Sequence, residues 1–182
     1  MKKIFLRRSG KILASKDKIE KALNVKLEIN PDEILIEGSA IDEHTASKIL
    51  EALELGFDIK TALLLIDEEV MLEKIYIKDY VRASRVNTAK ARVIGKEGKV
   101  KRVLSGLTEC AISVKDHTIA LIGKDEDVEN ALLAITSLIR GKPHSKVYAS
   151  LERFRSEQKF EDKEDLGLKM RFIKKKLSKG KK

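Results

Sequence analysis

Two glycines spaced three residues apart could hold a phosphate group. They lie in Gly95-Lys96-Glu97-Gly98, and Lys99 follows at once. Because glycine lacks a Cβ atom, its backbone can take a positive φ and approach an anion closely. Backbone amides at the start of a helix carry partial positive charge and bind phosphate, and the two lysines add Coulomb attraction. These residues therefore predict a phosphate-binding loop ahead of a helix.

The loop lies in a strongly basic part of the chain. The 182 residues carry a formal net charge of +9. Residues 1–80 hold 13 Lys/Arg against 16 Asp/Glu, residues 81–142 hold 12 against 7, and residues 143–182 hold 13 against 6. Because the positive excess lies entirely after residue 80, we expect a basic face that binds a polyanion.

The elements around the loop follow the order β-α-α-β-β-α. A short helix over about 87–94 leads into the loop, and a helix over about 99–107 leaves it. Two short strands near 110–114 and 119–122 precede a helix over 125–140, and an alternating segment over 73–80 supplies the first strand. Elements that segregate in this way form α+β domains, with helices on one face of an antiparallel sheet.

The same pattern occurs earlier in the chain, at an offset of 85 residues. Residues 25–29 align with 110–114, and residues 34–38 align with 119–123. The first copy also has a strand over 2–6 and helices over 15–23 and 42–55. A linking helix over 58–70 is expected to be buried between the copies.

The first copy is shorter where the loop should be. Ile4 and Leu27 are 23 positions apart, whereas Ile75 and Ile112 are 37 apart, so about 14 residues are missing. At the repeat offset the loop falls on Gly10-Lys11-Ile12-Leu13, which has no second glycine. We therefore expect the first copy to lack a binding loop and to act as a structural or protein-binding domain.

An Ile-Gly-x-x-Gly sequence between two helices is typical of KH domains, which bind single-stranded RNA. Segments 58–81, 91–98 and 141–153 resemble archaeal members of the Dim-two/partner-of-Nob family, to which Krr-type assembly factors are related. The resemblance covers about residues 15–157. It implies ribosome biogenesis through binding near the 3′ end of small-subunit (16S) ribosomal RNA, with a PIN-domain rRNA endonuclease as partner.

The predicted fold class is α+β, with two tandem type I KH domains, each a three-stranded antiparallel sheet with helices on one face. Residues 1–70 form a degenerate first domain with its linking helix, and residues 71–142 form the domain with the loop. A C-terminal helix and a basic tail occupy residues 143–182. The helix, over 145–158, is expected to pack its apolar stripe on the sheet or on a partner, and His144 is expected either to anchor it, which we favour, or to contact RNA.

The predicted RNA site has four nucleotides crossing the loop, in a groove lined by Ile94 and Ile112. Lys101 stands where many KH domains have an apolar residue, so it is expected to add a contact. The candidate RNA-binding residues are Lys90, Arg92, Ile94, Gly95, Lys96, Glu97, Gly98, Lys99, Lys101, Arg102 and Ile112.

Several alternatives stay open. The glycines could merely end a helix beside a solvated basic face. The chain could be a KH-fold protein–protein adaptor, or an RNA-binding subunit of an RNA-degrading or translation complex. No aromatic residue lies between Val81 and Val147, which argues against base stacking of the RRM or OB type. Because the P-loop motif and catalytic constellations are absent, we expect no enzyme activity.

The remaining features predict an intracellular protein without metal or cofactor. The single cysteine, Cys110, cannot form an internal disulfide and is expected to be a small core residue. No apolar run approaches the ~20 residues needed to span a bilayer, and the N-terminal apolar stretch is too short for a signal peptide, so a cytoplasmic protein is expected. The basic residues after 168 predict a solvated extension or a nonspecific phosphate contact.

Overall fold

Two three-stranded antiparallel sheets organise the residues that the computed structural model describes, which are 2–5, 10–30 and 33–157. The strands are β1 (Lys2–Ile4), β2 (Lys26–Ile29), β3 (Ile34–Glu37), β4 (Val70–Tyr76), β5 (Ala111–Lys115) and β6 (Thr118–Lys124). The helices are α1 (Gly10–Leu23), α2 (Ala40–Glu54), α3 (Ile59–Ala62), α4 (Val86–Ile94), α5 (Lys99–Thr108), α6 (Asp125–Ile139) and α7, over residues 144–157. The predicted combination of antiparallel sheets and helices is confirmed, and the arrangement is KH-like.

The two sheets repeat each other residue by residue. Their strand orders are β1-β3-β2 and β4-β6-β5. Leu27 pairs with Ile36 in the first sheet, and Ile112 pairs with Leu121 in the second, so the register is the same at the offset of 85 residues. The sequence repeat is therefore a structural repeat.

A glycine in each sheet explains part of this repetition. A Cβ atom on Gly38 would lie 2.8 Å from Val25 Cγ1, and one on Gly123 would lie 2.6 Å from Cys110 Sγ. Each glycine therefore makes room for the side chain that precedes the neighbouring strand. In this way Cys110 fills the core of the second copy and is only 1% exposed, as predicted.

Among the described residues, one helix precedes β2 in the first copy, whereas two helices precede β5 in the second. Helix α1 was expected over 15–23 but begins at Gly10, because Ile12 is fully buried, one turn ahead of Ser15 and two turns ahead of Ile19. The residues that align with the loop are thus the first turn of α1. This confirms that the first copy has no Gly-x-x-Gly loop.

The predicted strand over 73–80 was wrong at both ends. Strand β4 begins at Val70 and ends at Tyr76, which pairs with Thr118. Thr118 is the first residue of β6, so no partner strand continues beyond that pair. The next residues, Ile77–Asp79, form a 3-10 turn in which Ile77 N–H donates to His117 O at 3.0 Å.

The linking helix predicted over 58–70 is also shorter than expected. Helix α3 is followed by a 3-10 turn over Leu63–Ile66, and Asp67 N–H donates to Leu64 O to end it. Leu65 is buried, but Leu64 and Ile66 are 54% and 43% exposed. The segment is therefore only partly buried between the copies.

The first copy covers the back of the second sheet. Alternate residues of β6 divide between two cores: Ile119 and Leu121 pack with the helices of the second copy, whereas Ala120 and Ile122 pack with the core of the first. Polar contacts reinforce this interface, since Ser113 Oγ donates to Leu55 O at 2.8 Å. The second sheet is thus held between its own helices and the first copy.

Helix α7 was expected to pack on the sheet or on a partner. It packs instead on the helical layer of the second copy. Val147 and Leu151 are buried in the core of the second copy. Arg155 Nη1 donates to Gly106 O of α5 at 2.8 Å, and Nη2 donates to Glu109 Oε1 at 2.7 Å. Within the described ranges, every helix is too short or too polar to cross a membrane.

Burial raises the pKa of the Cys110 thiol to about 11, and this predicts slow thiol chemistry. Ordinary cysteines titrate near pH 8.5, so the thiolate fraction of Cys110 at pH 8 should be about 200-fold below that of an exposed cysteine. Because the native state keeps the proton that the unfolded state loses, the associated stability falls as the pH rises from about 9 toward 11.

Labelling with a chromogenic disulfide reagent at pH 8 checks this expectation, since Cys110 is the single cysteine of the chain. We expect labelling to be at least 100-fold slower in the native protein than in guanidinium chloride. Equal rates in the two solvents would show that Cys110 is neither buried nor perturbed.

Candidate RNA interface

The predicted loop forms a sharp turn between α4 and α5. Gly95 N–H donates to Ala91 O at 2.8 Å and ends α4, and Gly98 N–H donates to Gly95 O at 3.2 Å. Three of its residues have positive φ: 71° at Gly95, 54° at Glu97 and 72° at Gly98. Positive φ is sterically disfavoured for residues that carry a Cβ atom, so the turn depends on its glycines.

The two glycines have different tasks. A Cβ atom on Gly95 would lie 2.3 Å from Val100 Cγ2 and 2.9 Å from the Val100 backbone nitrogen, whereas one on Gly98 would meet nothing within 4 Å. Gly95 therefore lets α4 and α5 approach each other, and the open space beside Gly98 is where a ligand backbone can come close. From the sequence we had expected both glycines to let a phosphate come close.

Helix α5 begins directly after Gly98, its N-cap residue, without a side-chain cap on its first turn. Lys99 N–H donates to Lys96 O, but the next amides of the turn keep their capacity to bind an anion, and the helix dipole favours negative charge there. Arg102 Nη2 donates to Glu97 O at 3.1 Å, so an arginine one turn into α5 fixes the loop carbonyl.

The predicted basic residues surround this turn with different exposures. Lys96, Lys99 and Arg102 are exposed, whereas Lys90 and Lys101 are half-buried. Among the predicted apolar residues, Ile94 is half-buried, but Ile112 is 5% exposed and belongs to the core. Ile112 can therefore shape the groove from beneath but offers little surface to a base.

Arg92 lies on α4 but points to the end of α6. Its Nε donates to Leu138 O at 3.2 Å, and its Nη2 donates to Lys142 O at 2.7 Å. The Arg92 carbonyl oxygen lies 3.0 Å from His144 Nε2, so the ring donates through Nε2 in the tautomer that makes this bond. The interpretation of His144 as an anchor for the C-terminal helix is confirmed, and Arg92 is its partner.

Changing Arg92 to Ala is expected to destabilise the fold, because two carbonyl oxygens would lose a charged donor. Charge-assisted hydrogen bonds contribute about 1.5–3 kcal/mol, and we expect a loss of that size in the free energy of unfolding. Denaturant unfolding measures it. As a control, Lys96→Ala removes an exposed cation and should stay within about 0.5 kcal/mol of the parent. Equal stability of the Arg92 variant and the control would refute the anchoring role.

Two contacts in this region could not be read from the sequence. The Val100 side chain that requires Gly95 is simply another residue of an apolar stripe, and the guanidinium of Arg140 lies 5.6 Å from the centre of the Tyr80 ring. Both depend on the packing angle between helices. In the described ranges, His, Cys, Asp and Glu side chains form no group of three or more that could hold a metal ion.

Comparison with known proteins agrees with this geometry. The family model for the second KH domain of PNO1, a eukaryotic-type (type I) KH domain, matches residues 71–156. A KH domain-containing protein of Methanocaldococcus jannaschii is 40% identical over 151 residues, which are 79% of this chain and 66% of that protein. The RNA-binding protein PNO1 of Oryzias latipes is 32% identical over 109 residues, 58% of this chain and 45% of that protein. The chain thus spans no more than about two thirds of these curated relatives.

Solved structures show the same fold. Dim2p from Pyrococcus horikoshii superimposes with a TM-score of 0.75 at 28% identity, over 84% of this chain and 99% of that one. A chain in a complex of aDim2p, an initiation factor 2 alpha subunit and rRNA from the same organism gives 0.77 at 26% identity, over 86% and 95%. The match of the loop-bearing copy to the PNO1 model, together with these relatives, shows that the chain belongs to the Pno-type family of KH-domain proteins.

Proposed function

We propose that this protein binds single-stranded RNA through the loop at 95–98 and acts in ribosome biogenesis as a pre-rRNA-processing factor. The observation that carries the proposal is the open space at Gly98, which is the N-cap of a helix start without a side-chain cap and is flanked in the chain by exposed Lys96 and Lys99. Relatives named RNA-binding protein PNO1 and pre-rRNA-processing protein PNO1 support it, as does the complex of aDim2p with rRNA.

The proposed RNA path crosses the loop and follows the groove between α4 and β5. Phosphates lie against the amides at the start of α5 and against Lys96 and Lys99, while bases lie over Ile94 and meet the backbone of β5. Lys90, Lys101 and Arg102 add positive charge along this path. Arg92 contributes by fixing the end of α6, and Ile112 by supporting the groove from the core.

We further propose that the chain consists of two tandem type I KH domains, over 1–70 and 71–142, followed by a C-terminal segment over 143–182. The first domain has one helix where the second has two and a loop, so it has no groove of this kind. Its packing on the back of the second sheet supports a structural role, with the remaining surface available to a protein partner. The basic tail lies outside the described residues.

The finer assignment follows the family. We propose that the RNA is the 3′ region of 16S rRNA, that a PIN-domain rRNA endonuclease is the protein partner, and that both meet the chain in the cytoplasm. The protein would then position RNA for another enzyme and would perform no chemistry itself.

Crosslinking of the protein to RNA in cells, followed by sequencing, tests this function. Reads concentrated at the 3′ end of small-subunit rRNA and its precursor are the expected result. Reads scattered over messenger RNAs would favour a role in an RNA-degrading or translation complex. An absence of crosslinks, together with stable capture of a protein, would favour the adaptor hypothesis and overturn RNA binding.

A further inference from the structure

A second basic site lies at the opposite end of α4 from the loop. Here a cleft of about 620 Å³ is lined by Tyr80, Val81, Arg82, Ser84, Arg85 and Arg140. Three of these six residues are arginines, and no carboxylate is among them. The cleft opens to solvent, and all three arginines are exposed.

The three guanidinium groups lack carboxylate partners among the residues that the structure describes. None of them has an ion pair or a side-chain hydrogen bond there, and the guanidinium of Arg140 lies over the Tyr80 ring. Asp79, the acidic residue nearest in sequence, does not line the cleft. Like charges that converge without counter-charges repel one another, so the cleft favours an anion that can meet several of them.

The geometry of the cleft suits phosphate groups in particular. Guanidinium groups bind phosphate oxygens with two parallel N–H donors, and Ser84 adds a hydroxyl group. Helix α4 starts beside Arg85 with no side-chain cap, so the positive end of its dipole faces the same region. The Tyr80 ring holds Arg140 in place, which reduces the freedom that the side chain would lose on binding.

The distance between the cleft and the loop matches a short length of RNA. Helix α4 has nine residues, and at 1.5 Å per residue it spans about 13 Å. At 3.4 Å per phosphate of a stacked strand, this corresponds to about four nucleotides. A strand that crosses the loop and follows the four-nucleotide groove along α4 can therefore reach the arginines with its next few phosphates.

We propose that Arg82, Arg85 and Arg140 form an accessory site for the RNA phosphate backbone, which extends the KH groove along α4. This inference rests on the proposed RNA binding. It makes the binding site longer than the four nucleotides of the groove, and it assigns the added affinity to charge and not to base recognition. The preference of the protein for particular RNA bases would still be determined by contacts in the KH groove.

The test compares RNA length with charge in the cleft. Binding of a four-nucleotide and a nine-nucleotide RNA of the same core sequence is measured for the parent and for Arg82→Ala/Arg85→Ala, which leaves the Arg140–Tyr80 contact intact. We expect the variant to bind the short RNA as the parent does and the long RNA about tenfold more weakly. For the long RNA, the slope of the logarithm of affinity against the logarithm of salt concentration should become shallower by about 1.4 in the variant. This corresponds to the loss of two phosphate contacts at about 0.7 each.

Two controls separate the possible outcomes. Lys18→Ala/Lys21→Ala removes the same charge from the exposed face of α1 and should affect neither RNA. A long RNA whose added phosphates are replaced by neutral methylphosphonates should bind the parent as the short RNA does. If the Arg variant weakens both RNAs equally, or neither, the accessory site is refuted. If changing Lys96 and Glu97 both to Asp leaves RNA binding unchanged, the proposed function is refuted, whatever the arginine variant shows.

Discussion

RNA affinity is expected to fall about tenfold to hundredfold when Lys96 and Glu97 are both changed to Asp. The change replaces an exposed lysine with a carboxylate and keeps the carboxylate of residue 97, so two negative side chains lie beside Gly98, where the proposed phosphate lies. Losing a charge-assisted contact and adding repulsion corresponds to about 1.5–3 kcal/mol, and each 1.4 kcal/mol is a factor of ten. Fluorescence anisotropy with a labelled single-stranded RNA measures the effect.

The fold should survive this change. Glu97 has φ of 54° and ψ of 28°, a left-handed conformation that Asp tolerates better than most residues do. Both side chains are exposed, and the contact of Arg102 is with the backbone oxygen of residue 97, which Asp retains. We therefore expect the thermal midpoint to move by only a few degrees.

A matched control tests whether charge alone is responsible. Lys18→Asp changes the net charge by the same two units on an exposed face of α1, in the first copy. It should reduce affinity by much less than tenfold, because exposed charges farther than about one Debye length are screened. Unchanged affinity in the folded loop variant, or equal losses in both proteins, would refute the loop as the RNA site.

Much of the fold could be predicted because its signals are local. The strands pair in the register that the repeat offset requires, and α6 begins at Asp125, where an acidic first turn favours a helix start. The deletion of about 14 residues in the first copy is also visible in the strand pairing. Ile4 pairs with Ile34, as Ile75 pairs with Ile119, so the offset falls from 85 to 71 across the gap.

The rest depends on contacts between distant residues. Nothing near Arg92 in sequence indicates that it reaches Leu138 and Lys142, 46 and 50 positions away. The end of β4 is set by where β6 begins, and the early start of α1 is set by a place for Ile12 in the core. In each case the local sequence permits two outcomes, and tertiary packing selects one.

The division of tasks between the two loop glycines gives the second large prediction. We expect Gly95→Ala to lower the free energy of unfolding by about 3 kcal/mol, since strained backbone and overpacking each cost about 1–3 kcal/mol. Gly95 has φ of 71° and ψ of 177°, a region used almost solely by glycine. The added methyl group would also collide with Val100. For a chain of this size the thermal midpoint should fall by about 6–12 °C.

Gly98→Ala is the matched control because it has nearly the same φ but open space in place of Val100. It should cost about 1–2 kcal/mol, which is the price of the left-handed conformation alone. A double change, Gly95→Ala/Val100→Ala, should recover part of the loss by removing Cγ2, while the contact with the Val100 backbone nitrogen keeps the recovery incomplete. If Gly95→Ala and Gly98→Ala were equally destabilising, close packing of α4 on α5 would not be what requires the first glycine. Both glycines would then be needed only for the backbone conformation of the turn. The assignment of Gly95 to helix packing and of Gly98 to the RNA-facing side of the loop would be wrong.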